Sequence, residues 1–257
     1  MDLSNELLQL IFVFLLGTCI GSFLNVCIFR IPMGKSVAFP PSSCMNCGHK
    51  ISWWENIPIL SYIILRARCR KCSSPISIQY PFVEFLTGGL ASLLFQKFGL
   101  TPQFFIYFFF VGSLIVIAFI DLEHQIIPDI ISLPGIAAGL VASLFIPEVS
   151  IVDSAAGIFL GGGTLLAVAW GYYLLTKREG MGGGDVKLLA MIGAFLGWKS
   201  IPVVIFLSAA AGSIIGLAIV ALNRGNRRSA IPYGPFLAAG AVAYLFAGER
   251  IVQWYLS

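Results

Sequence analysis

Long apolar runs constrain this chain more than any other feature. "LLQLIFVFLLGTCIGSFLNVCIF", "FFIYFFFVGSLIVIAFI" and "IPVVIFLSAAAGSIIGLAIVAL" carry no charged residue, and each approaches or exceeds the roughly 20 residues that cross a hydrocarbon core. Composition agrees: 11% of the 257 residues are charged and 58% are hydrophobic, against about a quarter charged in a soluble domain. A polytopic, all-α membrane protein is expected. Eight spans are predicted near 7–29, 81–97, 103–121, 128–147, 154–176, 186–197, 201–222 and 234–248. The first is not read as a secretory signal, because Asp2 and Glu6 stand where a basic region belongs and no small-residue cleavage site follows.

Basic residues orient the spans, since cytoplasmic loops are enriched in Lys and Arg. With the N-terminus outside, thirteen cations fall inside: Arg30, Lys35, Lys50, Arg66, Arg68, Arg70, Lys71, Lys177, Arg178, Lys187, Arg224, Arg227 and Arg228. Only Lys97, Lys199 and Arg250 remain outside. The net charge of +4 therefore follows the membrane and is no signal for nucleic acid. Three regions are expected: a first span at 1–29, a cytosolic loop domain at 30–79 and a membrane-embedded core at 80–257.

The loop contains "CMNC" and "CRKC", that is Cys44, Cys47, Cys69 and Cys72. Two Cys-x-x-Cys knuckles 21 residues apart suit tetrahedral thiolate coordination of zinc. The alternative is two redox pairs or disulfides, which a reducing cytosol disfavours. With four protein ligands the ion has no open position, so its role is structural: it staples a loop too small for a core of its own. Cys19 and Cys27 lie in the first span and read as buried small apolar residues.

Two acids stand apart from the rest. Asp121 ends the third span, and Asp185 opens the sixth after "GGG". Alternating spans bring both to the cytosolic face. Two carboxylates brought close cannot both ionise and share one proton, the arrangement of an aspartic protease. Gly182, Gly183 and Gly184 would permit a tight turn and close approach of an extended peptide to Asp185. On these residues alone, a cation or proton site of a transporter explains the pair equally well. Near them, Asp129 reads as a helix cap, and Glu123 and His124 as interfacial polar residues. Lys187 either tunes Asp185 or anchors the helix end. Glu84, an acid within a span, needs a reason, either an arginine partner or a part in a binding site. Gly157, Gly161 and Gly163 read as close helix packing.

"GMGGGDVKLLAMIGAFLG" resembles the Gly-x-Gly-Asp signature of the prepilin peptidase family, bacterial membrane aspartyl proteases. "DLEHQIIPD", "GSFLNVCIFRIP", "WWENIPILSYIILRARCRKC", "IQYPFVEFLTG" and "IPYGPFLAAGA" resemble further family segments in the expected order. The resemblance implies an inner-membrane enzyme with Asp121 and Asp185 as its catalytic pair. Its substrates would be type IV prepilins or type II secretion pseudopilins, whose basic leader it removes at the cytosolic face. N-methylation of the new terminus with S-adenosylmethionine would follow, at a site the residues do not identify. Structural zinc and the surrounding bilayer complete the expected partners.

Overall fold

The computed structural model describes residues 3–177, 182–222 and 232–256. Among them there is no strand, only two isolated bridges, Ser43 with Lys50 and Arg68 with Pro75. The helices are α1 Leu3–Arg30, α2 Leu60–Ile64, α3 Gln79–Phe98, α4 Pro102–His124, α5 Asp129–Ala142, α6 Ile151–Thr176, α7 Gly183–Leu196, α8 Ser200–Leu222 and α9 Gly234–Leu256, with a single 3-10 turn at Trp53–Asn56. Every expected span has its helix, and α2 lies in the loop between the first two. Four of them, within α1, α4, α6 and α8, are long and apolar enough to cross a membrane. Asp2, Arg178, Arg224, Arg227 and Arg228, which entered the expected topology, lie outside the described residues.

The chain forms two compact units, Met1–Val116 and Ile117–Ser257. In the first, α1 packs along α3 through small residues. A Cβ on Gly17 would lie 2.8 Å from Ala91 Cβ and Gly88 Cα, and one on Gly21 would lie 2.7 Å from Glu84 Cα. Such spacing lets backbones approach where lipid gives helices no hydrophobic reason to associate. Asn25 adds polar ties, donating to Gly21 O at 3.3 Å and to Tyr80 O at 3.1 Å.

In the second unit α7 is the central element. Leu188 to Leu196 are all buried. On one side Gly157 and Gly161 of α6 meet the backbones of Gly193 and Leu189. On another, Gly135 and Gly139 of α5 leave room for Met191 and Ala194. The expected role of Gly157 and Gly161 holds; Gly163 faces open space and has none. This accounts for the short sixth span. Its 14 residues extend only about 21 Å, and their apolar character answers to surrounding helices rather than to lipid. Its far end is tied down where Ser154 Oγ donates to Ala194 O at 2.7 Å and Trp198 Nε1 to Asp153 Oδ1 at 3.0 Å.

Candidate active site and metal centre

Asp121 sits in the last turn of α4 and is buried, 5% exposed. Its Oδ2 accepts the N–H of Gly234, the first residue of α9, at 2.9 Å. Glycine suits the position, because a Cβ at 234 would lie 2.7 Å from that oxygen and displace the carboxylate. The start of α9 is itself held to α8 by a Tyr233–Ser208 hydroxyl contact of 2.7 Å; Ser208 donates to Ile205 O, so Tyr233 donates to Ser208. Asp185 lies in the first turn of α7, half-buried. The two carboxylates are near enough for the charge on Asp121 to act on Asp185. Residues 64 positions apart in the chain are thus brought into one neighbourhood, where Gly184, next to Asp185, packs on Ile127 just beyond α4.

The glycines before Asp185 do not form the expected tight turn. Gly182 is extended, φ −71° and ψ 139°, and caps α7, whose first two residues are Gly183 and Gly184. None of the three adopts positive φ. Space is the reason for one of them: a Cβ on Gly184 would lie 2.8 Å from Ile127 Cβ, whereas Gly182 has 3.7 Å to Asp185 Oδ2 and Gly183 is open.

Of the neighbouring charges, Asp129 takes a different role from the one expected. Asp129 is not a cap: Pro128 holds that position, and no side chain caps the helix. Instead Asp129 accepts Lys187 Nζ on both oxygens, at 2.7 and 2.8 Å. Lys187 is thereby committed to tying α7 to α5, two residues beyond Asp185. Glu123 and His124 form a loose exposed contact at 3.9 Å, as interfacial residues would. Among the described residues Glu84 pairs with no arginine; its Oε2 accepts Ile59 N–H at 2.7 Å, and Ser22 also bonds to it.

The cysteines converge. The sulfurs of Cys44, Cys47, Cys69 and Cys72 all lie within 4.8 Å of one another, with 3.8 Å from Cys44 to Cys72 and 4.0 Å from Cys47 to Cys69. A tetrahedron with 2.3 Å metal–sulfur bonds has edges of about 3.8 Å, so the group fits a metal ion. The two knuckles are built alike. Cys44 N–H donates to His49 O and Cys69 N–H to Ser74 O, both at 2.8 Å. Gly48 N–H donates to Cys44 O and Ser73 N–H to Cys69 O, both at 2.9 Å. Gly48 (φ 67°) and Ser73 (φ 57°) take the left-handed turn that lets each pair of sulfurs point inward. Without metal the thiols cannot ionise together. The N–H of Cys47 and the hydroxyl of Ser74 bring Cys44 down to about 6. The N–H of His49 draws Cys47 downward, but desolvation and the three neighbouring sulfurs outweigh it and push Cys47 up to about 11. Beside the knuckles, Glu55 is held below the usual carboxylate range by the N–H of Ser52, with help from the Ser52 hydroxyl and His49.

Asp121 and Asp185 were legible as candidates; Gly234 and Tyr233 were not, although "IPYGPF" was noticeable as a glycine between a proline-flanked loop and a helix. Comparison with known proteins places the whole. Residues 15–98 match the bacterial peptidase A24 N-terminal domain, and 108–217 the type IV leader peptidase family. A prepilin leader peptidase/N-methyltransferase of Aeromonas hydrophila is 38% identical, covering 100% of this chain and 98% of that protein. One from Pseudomonas aeruginosa is 36% identical over 98% of this chain and 95% of its own length. One from Myxococcus xanthus is 39% identical over 85% of this chain and 66% of its own length. No solved structure matches the chain significantly. With both family domains in order and relatives matched from end to end, this multi-pass membrane protein belongs to the type IV leader peptidase family.

Proposed function

We propose that the protein is a prepilin leader peptidase of the bacterial inner membrane. It removes the basic leader of type IV prepilins or type II secretion pseudopilins at the cytosolic face, and it methylates the exposed N-terminus. The observation that carries the reading is the packing of Gly184, beside Asp185, on Ile127 just beyond the helix whose last turn carries Asp121, which puts the two acids in one neighbourhood. We place the chemistry within 80–257 and a supporting role in the 30–79 loop.

The hydrogen bonding supports a different part for each acid. Asp121 already accepts an N–H on Oδ2 from the first turn of α9, a bond that favours a negative oxygen, as does the positive end of the helix. Asp121 is the ionised member and takes a proton from the attacking water. Asp185 carries the shared proton and gives it to the scissile carbonyl oxygen as the new C–O bond forms. The tetrahedral diol then collapses: its C–N bond breaks, the proton held by Asp121 passes to the leaving amine, and Asp185 regains its own. Gly182, extended with its Cβ position 3.7 Å from Asp185 Oδ2, is where a peptide backbone comes closest to that acid.

The ion in the cysteine group is zinc, which four thiolates favour over harder cations. Its closed coordination makes it a staple rather than a catalyst. S-adenosylmethionine, when bound, supplies the methyl group. Glu84 is no free ligand for it, since its carboxylate already holds Ile59. Mass spectrometry of a co-expressed prepilin tests the proposal, because it reads leader loss and the methyl increment together. An uncleaved prepilin overturns it; a cleaved, unmethylated one reduces it to peptidase alone.

A further inference from the structure

Between the two knuckles, α2 turns its apolar residues away from the loop domain. Leu60, Ile63 and Ile64 are 51%, 65% and 63% exposed, and positions three and four apart share one helix face. Facing water, three large aliphatic side chains would forgo burial that is favourable by about 25 cal/mol per Å².

Two observations identify what covers them. The first is position. Ile59, which precedes α2, donates its N–H to Glu84 Oε2 at 2.7 Å. Glu84 is buried and is the sixth residue of α3, about 7.5 Å along the axis from that helix's start. The start of α2 is therefore fixed to α3, the second expected span, within two turns of that helix's start. An amphipathic helix lying in a bilayer interface buries its apolar face about 5–10 Å into the headgroup–acyl boundary, which is the same level. Ile59 itself has φ 62°, a conformation rare for a β-branched residue, so the entry to α2 is imposed by its surroundings.

The second is charge. Arg66, Arg68, Arg70 and Lys71, all exposed, follow α2 within seven residues of Ile64. Residues 30–79 hold seven Lys and Arg against one acid, Glu55, which is buried and already bonded to His49 and Ser52. Arg70 stacks on Trp54, which leaves Arg66, Arg68 and Lys71 to face outward.

We propose that α2 is an interfacial helix. Its Leu60, Ile63 and Ile64 face lies in the bilayer that the chain already spans, and Arg66, Arg68 and Lys71 bind the phosphates of anionic lipids beside it. The metal-binding loop is held against the membrane surface at this point, with the Glu84–Ile59 hydrogen bond as its protein-side tie.

Full-length protein carrying a photo-crosslinking amino acid at Ile63, in nanodiscs of phosphatidylcholine with or without phosphatidylglycerol, tests this. Illumination should give lipid adducts on the α2 peptide by mass spectrometry. The same probe at Lys50, in the first knuckle, should give none. Arg66→Gln with Arg68→Gln should lower the adduct yield in anionic discs by about tenfold or more, since each basic residue near such a surface contributes roughly one kcal/mol. Inorganic phosphate added in place of the anionic lipid should not restore the yield. Metal content, measured on each variant, shows that the knuckles remain intact. Absence of lipid adducts at position 63 in both discs overturns the proposal. Equal yield with and without anionic lipid overturns the part assigned to the basic residues.

Discussion

At the scale of residues, the proposed mechanism rests on two aspartates and one glycine. Asp121→Asn and Asp185→Asn should each abolish leader removal while the protein still inserts. Asparagine keeps the size but can neither take a proton from water nor share one. Because the acids act as a unit, the double variant should be little worse than either single one; near wild-type cleavage by either Asn variant would sink the mechanism. Gly234→Ala should lower cleavage by about tenfold or more, since its Cβ would lie 2.7 Å from Asp121 Oδ2 and must push the carboxylate off its N–H. Gly182→Ala, with 3.7 Å of room, should fold normally, and any loss there should appear in KM for prepilin. Rate against pH should be bell-shaped, with apparent values that belong to the pair.

At the scale of elements, the apolar runs were fully legible and their surroundings were not. Each expected span has its helix, because periodic burial and length are local properties. Whether α7 is apolar for lipid or for protein is not local: Leu189 and Gly193 are covered by Gly161 and Gly157, about thirty residues away in the chain. The same holds for Gly234 against Asp121, and for Lys187 against Asp129, where a reading from neighbours alone favoured a cap. Packing at α7 makes a sharp comparison. Gly157→Ala forces a methyl into the Gly193 backbone and should destabilise by about 1–3 kcal/mol or more, whereas Gly163→Ala meets open space and should change thermal stability little. Equal effects would show that α6 does not grip α7 as described.

The knuckles, by contrast, were legible down to their ligands, since thiolate spacing is itself the signal. Purified protein should carry about one zinc per chain, and a serine at any of the four cysteines should lower it. Protons compete for the thiolates, so metal should be kept at neutral pH and released on acidification. Glu55 adds a second acid-side effect. Its folded-state carboxyl is held low, so its contribution is complete above the unfolded value of about 4.3 and is lost as pH falls through the depressed folded one. Glu55→Gln should remove that contribution at neutral pH and leave zinc content near one. Metal loss on acidification that is unaffected by thiol removal would show that the ion sits elsewhere.

At the scale of the whole molecule, orientation decides whether the chemistry meets its substrate. Eight helices alternating from an outside N-terminus place thirteen Lys and Arg inside and three outside, and reversal inverts the ratio. The short α7 is the weak point of the count, because a buried helix of 14 residues need not reach both surfaces. If α7 turned back, Lys199 would lie inside, and everything after it would invert, carrying Arg224, Arg227 and Arg228 outside against the positive-inside bias. The contacts at the far end of α7 argue for the alternating arrangement. Ser154 Oγ donates to Ala194 O and Trp198 Nε1 to Asp153 Oδ1, so α7 ends level with the start of α6, opposite the end where Lys187 pairs with Asp129. A reporter active only outside the cytosol should therefore light up at the N-terminus and near Lys199, and stay dark at residues 60 and 226. Activity at residue 60 would put the metal-binding loop outside and overturn the orientation. Activity at 226 with darkness at 60 would instead leave the first six helices standing and show that the topology after α7 is reversed.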